Sequence, residues 1–272
     1  MRLPCVVLAA ALVASVSARA DEPISASNRQ FYLGAGAQHL QYVEVEQQTD
    51  LDTESGDQYA YAGGAVWQGT LLGVPLVYAE ARYAFSRGKT AYDGFLQNLQ
   101  TGALIPWMSS TDVETSDWEV RLGKGFGGSP DDGGMITPFI GIGGHRWVRD
   151  SSQTDAPYGY LEVYKHQFAQ VGLLAQGALG HRLVGSLEAD LGETFGAEIG
   201  APALGFSAKL GSDRVVGASA RLDYAIGWNW HAGLEVRETN FRYKASQVIN
   251  NMFEPDSSTI QGTAMLTIGR GF

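Results

Sequence analysis

Cysteine is almost missing from this chain of 272 residues; the one copy is Cys5. After residue 20 there is none, which excludes disulfides and thiol chemistry from everything that follows. Long apolar runs are missing too. No stretch beyond residue 20 comes near the ~18 apolar residues of a membrane-spanning helix, so a helical span is excluded there. Cations are scarce: Lys and Arg number 19 against 29 Asp and Glu, a formal charge of −10. Phosphate contacts need clustered Lys and Arg, so nucleic acid is not an expected partner. No Pro-rich or Ser-rich linker and no charge block divides the chain, and one domain is the simpler organisation.

What is present begins with "MRLPCVVLAAALVASVSARA". An early cation, Arg2, precedes an apolar stretch from about Val6 to Val16, then Ala18-Arg19-Ala20. This is the three-part layout of a secretory signal peptide, with cleavage expected after Ala20. Residues 1–20 are read as the leader and 21–272 as the mature domain. Losing Arg2 and Arg19 and no acid moves the charge from −10 to −12.

Period-two alternation then dominates. In "RVVGASARLDYAIG", Val216, Ala218, Ala220, Leu222, Tyr224 and Ile226 share one face, while Ser219, Arg221 and Asp223 lie on the other. "HRLVGSLEADLG", "LVYAEARYAF" and the final strand show the same division. Successive side chains of a strand point to opposite faces, so each segment carries one apolar and one polar face. Alternation alone also fits a soluble sandwich or a lipocalin-type barrel. Length and loop rhythm separate these. Ten strands are expected, near 29–48, 57–71, 75–93, 111–127, 135–150, 159–177, 181–197, 214–227, 229–245 and 257–272, with eight or twelve as alternatives. Several exceed the roughly 5–6 residues usual in globular sheets. Short Gly-rich turns alternate with longer polar loops around 49–56, 94–110, 151–158, 198–213 and 246–256, the rhythm of an outer-membrane barrel. The fold class expected is therefore all-β, a transmembrane antiparallel up-and-down barrel.

Aromatic residues are expected at the two membrane interfaces. Phe31, Phe126, Trp228, Trp230 and Phe272 belong to the periplasmic rim on this reading, and Tyr83, Phe85, Trp147 and Tyr243 to the outer rim. Register is ambiguous after His39, within 57–71 and around His145-Arg146, where a bulge would re-aim the strand.

"FYLGAGAQ", "PFIGIGGHRW" and the terminal "LTIGRGF" resemble the small outer-membrane β-barrels of Gram-negative bacteria, the broad OmpA-like, opacity-protein and porin-like class. The resemblance covers the mature chain as a loose pattern. It implies residence in the outer membrane, contact with its lipid and lipopolysaccharide, and no cofactor. It also implies that the barrel-assembly machinery reads a terminal signal, here Phe272, Ile268 and Leu266. Arg270 departs from that alternation.

The polar faces carry charges two residues apart: Glu80 and Arg82, Glu119 and Arg121, Glu188 and Asp190, Arg221 and Asp223, Glu235 and Arg237. Turn distances place them in one slab at mid-height of the lumen. With Asp117 the slab holds seven acids and four arginines. Two readings stay open. Either the charges form a packed polar core, or they line a narrow hydrated path that prefers cations.

Catalysis is not expected. The five histidines, His39, His145, His166, His181 and His231, form no His-x-x-x-His spacing, and no Gly-x-Ser-x-Gly elbow occurs. Omptin proteases also have ten strands but carry an Asp-His dipeptide, which is missing here. Lipid A deacylases use His-x-Ser, also missing. His145 with Asp150 and His166 with Glu162 are the remaining acid–base pairings. "TDLDTESGD" reads as a solvated acidic loop, since Gly56 is one place late for an EF-hand. "FLQNLQTGALIPWM" offers Phe95, Leu96, Leu99, Leu104, Ile105 and Trp107 either as a surface patch or as an inward plug. The role expected is structural or interactive, through the outer loops, for a partner the sequence does not identify; the alternative is passive passage of small solutes.

Overall fold

A computed structural model describes residues 23–46, 49–97, 101, 103–127, 133–152, 159–227 and 229–272. The leader, Trp228 and Leu99 lie outside them, as does the side chain of Leu96. A short helix α1 (Pro23–Ser27) leads into twelve strands: β1 (Gln30–Glu46), β2 (Thr49–Leu71), β3 (Val74–Gln97), β4 (Leu104–Lys124), β5 (Phe126–Gly127), β6 (Gly134–Asp150), β7 (Leu161–Ala178), β8 (Leu183–Ala201), β9 (Phe206–Lys209), β10 (Arg214–Gly227), β11 (Trp230–Tyr243) and β12 (Asp256–Gly271). β5 and β9 are short side branches. The other ten pair antiparallel with their chain neighbours, β4 with β6 and β8 with β10 across the branches, and β12 closes on β1 from Gln30↔Gly271 to Val45↔Asp256. The result is a closed ten-stranded up-and-down barrel, as alternation and turn rhythm predict. Closure pairs β12 with β1, so neither the first nor the last long strand presents a free edge on that side. The Phe272 amide donates to the Arg29 carbonyl at 3.2 Å, and its ring meets Phe31 at 4.8 Å.

The connections differ from expectation. Residues 49–56 and most of 94–110 are not loops; they extend the β1–β2 and β3–β4 hairpins, with pairs such as Val45↔Asp50 and Phe95↔Pro106. A paired ladder satisfies the backbone by itself, so these stretches stay extended beyond the barrel wall. Leu104, Ile105 and Met108 are exposed, so the described part of this hairpin is a surface element, not an inward plug.

Side-chain parity on β1 and β6 holds through His39 and His145, but the β1–β2 register shifts a few residues beyond His39, between Val43 and Val45, and the β2–β3 register shifts between Gly69 and Leu71, inside the 57–71 stretch; at His145-Arg146 there is no bulge. Even residues of β1 and odd residues of β6 point inward along the strand. What changes is the chemistry of each face. On β1, Phe31 and Leu33 point out and Gln38 in; then His39 points out and Leu40 and Tyr42 point in. On β6, Ile140 and Ile142 face out, but further along Arg146 faces out and Trp147 in. A true bulge occurs in β8. Gly196, at φ +60°, lies where the β7–β8 register shifts, and inward parity passes from Thr194 to Ala197 and Ile199. The left-handed backbone there suits glycine.

Two expected rim aromatics are accordingly misplaced. Trp147 and Tyr243 are buried in the lumen rather than set at the outer rim, at 0% and 1% exposure. Tyr83, Phe31, Phe126, Trp230 and Phe272 do stand on the outer surface.

Candidate functional site

The lumen is filled in layers. At the end with the short turns, α1 tucks Ile24 against Met135 and Val184. Beside it the Asn28 amide donates to Gln68 at 3.1 Å and to Gln176 at 2.7 Å. Next come Tyr32, Val66, Tyr78, Phe139 and Leu174.

Above them lies the charged slab. Its centre is Arg121, 3.4 Å from Glu80 and bonded to both Glu119 and Glu188. Arg237 lies 3.3 Å from Glu119, 3.4 Å from Glu188 and 3.8 Å from Asp190. Arg82 spans to Glu235 at 2.9 Å, and Arg221 meets Asp223 at 3.5 Å. Tyr78 donates to Glu80 at 2.8 Å and Gln170 donates to Glu119. The structure thus brings ten of the eleven predicted charges into one network or its flank. Asp117 stands apart, accepting from His145 Nδ1 at 2.6 Å. The surplus of acid is met partly by histidine: His231 Nδ1 and Gln30 also donate to Asp223, at 2.7 and 2.9 Å. A Cβ on Gly217 would fall 2.4 Å from the Asp190 carboxylate, so a larger residue there would displace that carboxylate from its present position.

The loop end holds a layer that the sequence reading missed. Leu40, Tyr42, Trp147, Tyr164, Ile199, Phe206, Phe241 and Tyr243 form one buried cluster. Stacked rings carry it across the lumen, Trp147 on Tyr164 at 5.1 Å and Tyr42 edge-on to Trp147 at 4.9 Å. Arg149 threads this layer, 2.6 Å from both Glu54 and Glu162 and over the Tyr42 ring at 5.3 Å. The signal was present: Arg149 shares parity with His145 and Trp147, and a buried cation requires a carboxylate partner.

A tongue between β11 and β12 caps the cluster. Asn250 and Asn251, both at positive φ, turn the chain so that Ile249 and Met252 bridge and pack on the core. Asparagine tolerates that backbone better than most residues. Glu254 reaches inward, accepting from Tyr164 at 2.8 Å and Tyr42 at 3.1 Å. Burial, reinforced by the charge of Glu162, pushes its carboxyl up to about 7.

The histidine pairings differ from those anticipated. His145 and His166 are buried lumenal residues. Their partners are Asp117 and the Tyr243 hydroxyl, the latter at 2.7 Å, whereas Glu162 serves Arg149 and Asp150 bonds Ser152. His39 is on the outside. Among the described residues no group of three metal-ligating side chains converges.

With this geometry in place, likeness to solved structures becomes informative. The outer-membrane protease OmpT from Escherichia coli superposes with a TM-score of 0.54 at 10% identity, over 89% of this chain and 95% of that one. The fold is that of an outer-membrane β-barrel. The barrel also aligns with Neisserial surface protein A (TM-score 0.35, 10% identity, 89% and 97% covered) and with OprG from Pseudomonas aeruginosa (0.39, 10%, 90% and 96%). No family model and no curated protein matches it.

Proposed function

We propose that the barrel is an integral protein of the bacterial outer membrane with a closed lumen, exported by a leader over residues 1–20, and that it serves a structural or surface-interaction role. The observation that carries this reading is the stack of side chains across the lumen. The charged slab and the aromatic layer each cross it, and Trp147, Tyr42, Tyr164 and Leu40 are 0% exposed and Phe241 2%. Barrels near this size are filled by their own side chains. The outer face supports contact with lipid and lipopolysaccharide, because Leu33, Val120, Ile140, Leu222 and Leu266 stand exposed in a continuous band. Phe272, Ile268 and Leu266 all point outward at the seam, where the assembly machinery would read them. The long β3–β4 hairpin, with Leu104, Ile105 and Met108 exposed, offers a surface for an extracellular partner.

The test is conductance. The refolded mature chain in planar bilayers is expected to show no steady current. A cation-selective current that falls in Glu188→Gln or Glu235→Gln would establish the hydrated path instead.

A further inference from the structure

On the outer surface, three side chains from two adjacent strands form a relay. His39 of β1 pairs directly across from Asp57 of β2, with Nδ1 at 2.7 Å from the Asp57 Oδ1. The other ring nitrogen, Nε2, lies 3.3 Å from the Ser55 hydroxyl, two residues along β2 on the same face. With Nδ1–H donating to Asp57, Nε2 is left as the acceptor for the Ser55 proton. That is the order of a nucleophile, a base and the carboxylate that orients the base, a constellation defined by geometry and roles rather than by chain position.

Its position on the barrel suggests what it acts on. Outward residues of β1 are apolar from Phe31 to Ala37 and turn polar at His39. On β2 the change comes between Tyr59 and Asp57. On β3 and β4 it comes before Arg87 and Glu114, which pair at 3.4 Å, followed by Lys89 and Asp112 at 3.3 Å. The relay therefore sits at the upper edge of the apolar band. Below it an open groove of about 710 Å³ is lined by Phe31, Leu33, Tyr61, Tyr83 and Ile268. Six residues separate Leu33 from His39. At ~3.3 Å per residue on a strand tilted about 40°, that is roughly 15 Å of height, half the thickness of a bilayer's hydrocarbon core. Ser55 is level with Gln41, two residues higher, so an acyl chain lying in the groove with a reach of about 20 Å would bring its ester carbonyl to Ser55.

We propose that Ser55, His39 and Asp57 form a catalytic site for hydrolysis of fatty-acyl esters at the outer-leaflet interface. The site goes beyond the closed-lumen reading and needs only that the apolar band lies in lipid. Ser55 Oγ adds to the ester carbonyl while its proton passes to His39 Nε2. The tetrahedral adduct collapses, the carbon–oxygen bond to the alcohol breaks, and the alcohol leaves with the His39 proton. Water, deprotonated by His39, then cleaves the acyl-Ser55 ester and releases the fatty acid. Ester and water go in, and acid and alcohol come out. Lys89 of β3, paired with Asp112 at 3.3 Å, places a cation on the same outer face.

The experiment uses the refolded mature chain in vesicles of phosphatidylethanolamine and, in a second arm, of lipid A. Fatty-acid release is measured together with covalent labelling by an alkyl fluorophosphonate. Release in one arm or both, labelling at Ser55, and at least a 100-fold loss of release in Ser55→Ala and His39→Ala are expected. The arms separate phospholipid from lipid A as the source of the ester. All three residues are on the outer surface, so the variants should keep the heat-modifiable gel mobility of the folded barrel. Absent release in both arms, or release and labelling unchanged by Ser55→Ala, overturns the proposal. Neither result bears on lumen conductance, so the two readings fail separately.

Discussion

Arg121→Met is expected to lower the unfolding free energy of the refolded barrel by about 3–5 kcal/mol, measured by urea denaturation in lipid vesicles. The guanidinium is almost fully buried and serves three carboxylates, Glu80, Glu119 and Glu188. Methionine fills much of the volume but returns no charge. Two of those acids retain Arg237, at 3.3 and 3.4 Å, yet Glu80 keeps only hydroxyl donors, Tyr78 at 2.8 Å and Tyr32 at 3.4 Å. The loss comes from stranding charge in an enclosed space, not from forgoing an attraction. The outer pair gives the control. Arg87 is largely exposed, so Arg87→Met should cost about 1 kcal/mol or less. Comparable losses for both variants would mean the slab is hydrated and its ion pairs are screened.

The second large effect is a pH dependence of the tongue that caps the aromatic layer. Glu254 has its carboxyl raised to about 7 where it is docked, against an ordinary value of 4.5. The docked state therefore binds the proton more tightly than the released one. Its contribution is fully present below about pH 4.5 and is lost as pH rises through about 7. The difference amounts to roughly 3 kcal/mol. Glu44, Glu162 and Arg149 face the same pocket, with the Tyr42 and Tyr164 hydroxyls as donors. Hydrogen exchange of the amides of residues 246–254 should accelerate between pH 5 and pH 8 beyond the intrinsic base catalysis. Glu254→Gln, which cannot ionise, should remove that excess. An unchanged excess in the variant would place the titration elsewhere.

Much of this architecture was legible in the sequence because one rule governs the middle of every strand. Arg221 and Asp223 face in and Leu222 and Tyr224 face out, and the register shifts of the ladder lie toward the strand ends, as at Gly196 and Gly69. The same rule placed the eleven charges of the slab on inward faces. It stopped working near His39 and His145 for a physical reason. Alternation reports the contrast between two environments, and that contrast reverses where the barrel rises out of lipid. Above the band the outside is water and the enclosed space is the drier side. Leu40, Trp147 and Phe241 then turn in while His39, Arg146 and Arg242 turn out, with parity unbroken. A reversal of polarity at constant parity looks like a bulge in sequence. The hairpin extensions failed for the same reason, since acids such as Asp50 suit a water-exposed strand as well as a loop. The Ser55–His39–Asp57 relay was hidden differently. Its base and nucleophile lie on separate strands, so no linear spacing announces it.

The most direct test of the whole account is to locate that reversal relative to the bilayer. Beyond residue 20 the chain has no cysteine, so single bimane-labelled cysteines can be placed at will. Leu222→Cys, Ile140→Cys and Leu266→Cys in vesicles with brominated acyl chains are expected to be strongly quenched, and Arg146→Cys and Arg242→Cys to be left bright. Equal fluorescence at all five positions, or a processed chain that stays monomeric in water without detergent, would contradict it.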